Sequence, residues 1–323
     1  MMFAVFEKNY MPKLTNQIVI EKAKKLGFGL VGFAKADSLE DETEKLQQWL
    51  GKGYQATMGY MEKNLYKRKD VKEILPSAKS IISLALNYYT PEQHSNENEK
   101  GKTCQPVGKV SRYAWGKDYH LIIWQKLEEL ETILKKLEPE LQTLSYVDTG
   151  PIMDKAWAVR AGIGWMGKHT NVINPNIGSW FFIANIITNY EFDCSEMITD
   201  HCGTCTACID ACPTNAIVDE YVVDANKCIS FQTIENKNKI PNELKGSFDN
   251  WIFGCDICQD VCPWNQKFSI LTSIGEFYPQ NKELSYDEVL KLDNQTFKER
   301  FAESPIKRTK IKGLQRNAKF LFE

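Results

Sequence analysis

No apolar run in this chain approaches the roughly 20 residues that a bilayer-spanning helix needs. The start, Met1 to Lys13, mixes apolar residues with Glu7 and Lys8 and has no signal-peptide core, so the expected compartment is the cytoplasm and no membrane partner is expected. Neither sign of charge is in excess. Forty Lys and Arg against 42 Asp and Glu give a formal net charge of −2, so any role with nucleic acid must rest on a local basic patch. No internal repeat is present beyond a doubled cysteine motif. From Thr90 to Lys109 apolar residues nearly vanish, which reads as a surface loop long enough to be mobile or functional. Cys104, inside it, reads as a plain exposed thiol.

What is present is enough for a sizeable core: 323 residues, 43% hydrophobic, or about two domains by length. Helical patterns cover Gln17 to Leu26, Glu40 to Lys52 and His120 to Leu137. In the last, Leu127, Leu130, Leu134 and Leu137 recur at three- and four-residue steps. Leu30 to Phe33, Ser80 to Leu86, a stretch ending at Tyr146-Val147, and Trp180 to Ile187 read as strands. After Cys194 the texture turns short, cysteine-punctuated and rich in turns. The pattern predicts an α+β protein: an α/β-type domain over 1–193, a cysteine-rich unit over 194–270 and a short basic segment over 271–323.

Ten cysteines in a reducing compartment are metal ligands before they are disulfides. Cys202, Cys205, Cys208 and Cys212 are spaced C-x2-C-x2-C-x3-C with Pro213 following, the run of bacterial ferredoxins. Three thiolates of such a run wrap one cubane and the fourth ligates a second cluster. Cys255, Cys258 and Cys262-Pro263 repeat the ending, and Cys228 is available to complete the set. The pseudo-symmetric assignment places Cys202, Cys205, Cys208 and Cys262 on one [4Fe–4S] cluster and Cys212, Cys228, Cys255 and Cys258 on the other. Zinc is the rival, since paired C-x2-C units also build zinc sites. The third C-x2 step and the doubled C-x3-C-P ending favour clusters. Cys194 is left over as a structural residue. Two cubanes form a wire, and the roughly 190 residues before them are where its electrons would do chemistry.

Three central features are ambiguous on their own. Gly162, Gly164 and Gly167 match G-x-G-x-x-G, but they follow a helix instead of a strand. Position 169 of the near P-loop is His169 where Ser or Thr should hold magnesium, so a tight turn is the better reading. Asp148 lies between a strand and Pro151 and could cap a helix or, beside a buried cofactor, act as a general acid. Ser111 to His120 could be a binding edge or a rigid turn capped by Asp118.

Taken in order, these segments resemble the epoxyqueuosine reductases over nearly the whole chain. The resemblance is carried by Arg112-Tyr113-Ala114 with Gly116-Lys117-Asp118-Tyr119-His120, by Val147-Asp148-Thr149-Gly150, and by Arg160 to Trp165 with Gly167-Lys168. It continues through both cysteine runs, Cys228-Ile229-Ser230-Phe231, Gly254-Cys255-Asp256, Ser304 to Arg308 and Gly313 to Asn317. It implies reduction of the epoxide of epoxyqueuosine, at the wobble base of tRNA, to the alkene of queuosine. It further implies two [4Fe–4S] clusters feeding cobalamin, with cob(I)alamin as the nucleophile and Asp148 as proton donor. Cobalamin contacts would fall on Arg68, Ser111, Asp148, Asn174, Ser230 and Asp256. A low-potential electron donor and a monomer are also implied. His169 and His201 are axial ligands to cobalt by residue type only.

Between Pro305 and Lys319 lie Lys307, Arg308, Lys310, Lys312, Arg316 and Lys319 with no acid among them. By itself such a run is a solvated face. With a tRNA substrate, Lys307, Arg308, Lys310, Lys312 and Arg316 become candidate phosphate contacts. Other functions fit parts of the pattern: a reductive dehalogenase, an electron-transfer module without cobalamin, or a nucleic-acid binder with structural clusters.

Overall fold

The computed structural model describes residues 14–94 and 106–323. Cys104 and the segment before Leu14 lie outside them. The longest strands are the most apolar runs in the sequence. β1 (Leu30–Lys35) and β2 (Ser80–Asn87) pair, and β2 is buried along nearly its whole length. β3 (Val107–Val110), β4 (Thr143–Tyr146), β5 (Trp165–Met166), β6 (Val172–Ile173) and β7 (Phe181–Thr188) are the other strands among the described residues up to 193, and the main sheet runs β1-β2-β7-β4. Helices and strands alternate along the chain as an α/β pattern would, yet every pairing in this sheet is antiparallel.

The helices cover both faces of the sheet. α1 (Asn16–Lys25), capped by Thr15, and α4 (Tyr119–Leu137), capped by Asp118, bury their apolar stripes on one face around Phe33, Leu84 and Ile186. α2 (Glu40–Gly51) and α3 (Leu65–Lys69) belong to the other side. There α5 (Asp154–Arg160) drives Trp157 into a core with Leu39, Ile81 and Ile187. The contact of β1 with the end of α5 is close. A Cβ on Gly32 would sit 1.9 Å from the Ala161 carbonyl oxygen, whereas one on Gly29 would meet nothing within 4 Å. Gly32→Ala is therefore expected to cost roughly 1–3 kcal/mol, since backbone cannot yield as a flexible side chain can. Thermal unfolding should show a clear fall in Tm for it and little change for Gly29→Ala.

The cysteine-rich unit is built from short pieces. α6 (Ala207–Asp210) lies against α8 (Ile257–Asp260); between them come the hairpin β8 (Ile217–Asp219) and β9 (Val222–Val223), α7 (Ile229–Ile234) and β10 (Trp251–Phe253). α9 (Pro263–Phe268) begins with proline at its first turn, where a missing N–H costs nothing. Beyond it lie β11 (Glu283–Ser285), α10 (Tyr286–Lys291), α11 (Asn294–Arg300) and α12 (Lys310–Phe322).

β10, β3 and β11 form a second sheet, so strands from 1–193, 194–270 and 271–323 share one ladder. The basic C-terminal segment is thereby tied in. Ile306, Leu314 and Ala318 are wholly buried, and the Asn317 amide donates to the carbonyls of Thr233 (2.8 Å) and Ile252 (2.9 Å).

Candidate functional site

The cysteines separate into two groups as their spacing predicts. Cys202, Cys205, Cys208 and Cys262 line one cavity of about 360 Å³. Cys212, Cys228, Cys255 and Cys258 line another, of about 380 Å³, which opens to solvent. Each central thiol comes from a short helix, Cys208 from α6 and Cys258 from α8. The last cysteine of each C-x3-C-P ending lines the cavity of the other group, Cys212 with Cys255 and Cys258, and Cys262 with Cys202, Cys205 and Cys208.

Burial, then the facing Cys262 and Cys202, push the Cys208 thiol up to about 11. Cys258 is pushed up by burial and by Cys228, with Cys208 and Cys212 adding, so it feels both groups. Thiols crowded in this way cannot all ionise in the protein alone; the iron of a cluster supplies the positive charge that binds them as thiolates. The donor set fits two cubanes. Cys194, expected to be structural, is instead exposed.

The larger cavity reaches well beyond its four cysteines. Ser111, Tyr113 and Tyr119 border it from the turn before α4 and its first residue. Asp148 borders it from the β4–α5 connection, Asp154 and Lys155 from the first turn of α5, and Ser230 from α7. The stretch Ser111 to His120 is thus both things its composition allowed: a rigid turn capped by Asp118, and an edge of the site.

Asp148 caps no helix. α5 starts six residues later with Met153 at its N-cap, and Asp148 occupies a left-handed turn at φ 59°. Its side chain is exposed, and its Oδ2 accepts the Tyr119 hydroxyl at 2.8 Å. The Tyr119 ring is stacked on Phe182 with centroids 4.2 Å apart. Burial, with the Asp148 charge adding, raises the Tyr119 pKa, so Tyr119 remains the donor of that bond.

Of the six candidate cobalamin contacts, Ser111, Asp148 and Ser230 border the cavity; the other three do not. Arg68 is buried and gives its guanidinium to the carbonyls of Ile152 (3.1 Å) and Tyr60 (3.3 Å). Asn174 ties the turn after α5 to itself, its amide donating to the Ile163 carbonyl at 2.6 Å. Asp256 stands behind the wall and accepts from the Ser111 hydroxyl (2.5 Å) and the Arg112 amide (2.7 Å). It positions Ser111 without facing the cavity.

The glycine run beside it also serves the protein's own packing. A Cβ on Gly162 would meet the Glu196 carbonyl oxygen at 2.3 Å, and one on Gly164 the Ile173 carbonyl oxygen at 2.1 Å.

Sequence reasoning missed Asp154 and Lys155 as site residues and gave Tyr119 only as part of the Ser111–His120 edge. Burial pushes the Asp154 carboxyl up to about 7; the Asn185 amide bond at 2.9 Å works against this and the Asp148 charge works with it. Lys155 Nζ donates to the Thr170 carbonyl (2.8 Å) and to Asn171 Oδ1 (2.9 Å). For Asp154 and Lys155 the one signal in the sequence was their place about one helical turn past the Asp-Thr-Gly-Pro segment.

The candidate phosphate contacts divide by what they already hold. Arg316 spends its guanidinium on the carbonyls of Asn236, Asn238 and Gln232 and on Asn317 Oδ1, which leaves it no N–H for a phosphate. Lys307 pairs with Asp118 at 2.8 Å and Arg308 with Glu235 at 2.8 Å. Lys310 and Lys312 are exposed.

Residues 201–265 match the family described as a 4Fe-4S double cluster binding domain, and residues 68–149 match epoxyqueuosine reductase QueG, DUF1730. The epoxyqueuosine reductase of Cellulophaga algicola is 44% identical over 308 residues, covering 95% of this chain and 97% of its own. That of Leadbetterella byssophila is 46% identical over 301 residues, covering 93% and 96%. Among solved structures, an epoxyqueuosine reductase with a tRNA-Tyr epoxyqueuosine-modified stem loop superposes with a TM-score of 0.87 at 36% identity, over 94% of this chain and 80% of that one. The Streptococcus thermophilus enzyme superposes at 0.85 with 33% identity and the same coverage. With the double cysteine array and the Asp148 cavity in one fold, and identity of this extent along nearly its full length, the chain belongs to the epoxyqueuosine reductase family.

Proposed function

We propose that this chain reduces the epoxide of epoxyqueuosine in the anticodon loop of tRNA to the alkene of queuosine, releasing water. The observation that carries this reading is one cavity bordered both by Asp148 and by Cys212, Cys228, Cys255 and Cys258, so that a proton source and an electron source open on the same space. Conversion of an epoxide to an alkene and water consumes two electrons and two protons. The residues present suit cobalamin: Tyr88, Phe181, Phe182 and Ile183 give an apolar wall for a flat macrocycle, and Thr170, Asn171 and Ser230 give polar groups for its amides. Bound there, cobalamin would supply a nucleophilic metal centre for opening the epoxide, and Cys212, Cys228, Cys255 and Cys258 would hold its electron source beside it.

The chain's own groups place the substrate and move protons. Tyr119 holds one oxygen of Asp148, leaving the other to protonate the epoxide oxygen as its C–O bond breaks. Asp154, carrying a proton up to about pH 7, is a reserve acid on the same wall. Residues 1–193 would form the reaction wall and 194–270 the wire, in a monomer working in the cytoplasm with a low-potential electron donor.

Lys310 and Lys312, with Lys307 and Arg308 as secondary contacts, meet the tRNA backbone in this reading. Removing Lys310 and Lys312 together is expected to weaken tRNA binding uniformly and to lower the salt dependence by roughly one phosphate each, measured by titrating affinity against salt. Arg316→Ala, which breaks the internal clamp, should lower Tm instead.

The function is tested by anaerobic reconstitution with iron, sulfide and cobalamin, then reductant and tRNA carrying epoxyqueuosine, with nucleosides identified by mass spectrometry. Conversion to queuosine only when cobalamin is present is the expected result. Clusters that assemble without cobalamin binding or turnover would make the chain an electron-transfer module.

A further inference from the structure

His169, the residue that spoils the P-loop match, is 4% exposed and is the one described residue that borders both cysteine-lined cavities. Its seat is prepared by Gly167, where a Cβ would come within 3.0 Å of the His169 Cε1 atom. The ring's Nδ1 accepts the backbone N–H of Asn171 at 3.1 Å. That bond places the imidazole proton on Nε2, which therefore has a hydrogen to give and no lone pair to offer a metal. Burial, with the charge of Lys155 adding, disfavours the charged form of the ring. Nε2 is buried and has no hydrogen-bond partner among the described residues. A buried donor without an acceptor is costly, and native structures seldom carry one.

We propose that the His169 Nε2–H donates a hydrogen bond to a sulfur atom of one of the two [4Fe–4S] clusters, and so sets the potential step between them. The inference rests on the reading of the two cysteine groups as cluster ligands. A cluster gains negative charge when reduced, so a donor aimed at its sulfur stabilises the reduced form and raises its potential. A residue shared by both cavities can shift one cluster relative to the other, which decides the direction in which an electron moves along the wire. His169 acts here as a tuning group and not as an axial ligand to cobalt.

The test uses the full chain reconstituted with iron and sulfide, without cobalamin, titrated potentiometrically and read by electron paramagnetic resonance. His169→Phe keeps a ring and removes the donor. It is expected to lower the midpoint of one cluster, raising that cluster's oxidised-to-reduced ratio at fixed poise by up to about tenfold (59 mV for a one-electron couple). His169→Gln, which keeps an N–H at similar reach, should restore most of the shift. Unchanged potentials for both clusters in a fully loaded His169→Phe protein would overturn the proposal, as would equal shifts in both variants. If the Phe variant fails to assemble, the Gln variant decides: a potential close to the parent's supports the proposal and a large shift overturns it. Failure of the unmodified chain to take up two clusters would sink the cluster reading itself, and this inference with it.

Discussion

Asp148→Asn is expected to lower turnover of epoxyqueuosine-bearing tRNA by about 10²–10⁴-fold, the usual worth of a positioned general acid, while cluster content and Tm stay near those of the parent. The substitution is close to isosteric. The carboxamide oxygen of the introduced asparagine can still accept the Tyr119 hydroxyl, so the left-handed turn at φ 59° and the stacking of Tyr119 on Phe182 need not change. Only the transferable proton is lost. Single-turnover nucleoside analysis alongside tRNA binding separates the two roles, since an acid contributes to the chemical step and a purely structural turn to binding or folding.

Asp154 supplies a control with a defined sign. Its pKa is raised to about 7, so a proton drawn from it is available below that pH and lost above it. Asp154→Asn should flatten the fall of kcat above about pH 7 without abolishing turnover. If Asp148→Asn converts substrate within about threefold of the parent while Asp154→Asn does not, the acid is Asp154 and the roles are reversed.

How much of this was legible in the sequence depended on how local each feature is. Ligand spacing is local: a C-x2-C-x2-C-x3-C-P run fixes which thiols face which, and both cysteine groups line their own cavities as the spacing predicts. Helical stripes are local as well, and Leu127, Leu130 and Leu134 are all fully buried. Asp148 was half legible. Its neighbours suggest a helix cap, but the connection to α5 is longer than that reading allows; the alternative, a general acid beside a cofactor, is the one the resemblance favours. Convergence was not legible in the residues themselves: Tyr119, Asp148 and Ser230 lie far apart in the chain and border one cavity only in the fold, and the resemblance alone had grouped Asp148 with Ser230.

The second sheet was invisible for the same reason, because β3, β10 and β11 are three or four residues long and pair across more than 140 positions. In the C-terminal segment the cations masked a buried stripe. Leu314 and Ala318 lie four apart on α12 and seal it to the core, and Arg316 between them is a clamp and not a phosphate contact.

Cys228→Ala is expected to remove one cluster and all turnover together. Cys228 is the only ligand assigned without a neighbouring cysteine in the sequence, and it stands at the N-cap of α7, two residues before Ser230. Loss of that thiol leaves the second group with three ligands, and iron content should fall from about eight to about four per chain. The first group (Cys202, Cys205, Cys208 and Cys262) does not include it and should keep its cluster. Since only the second group shares a cavity with Asp148, the surviving cluster would have no route to the substrate, and activity should fall to background while a single cluster signal remains. Cys194→Ala, at an exposed thiol outside both groups, should change neither iron content nor activity. Iron near eight in the Cys228 variant would show that another residue completes the second cluster. Loss of zinc instead of iron would replace the wire with a structural site, and an electron-transfer role for residues 201–265 would no longer stand.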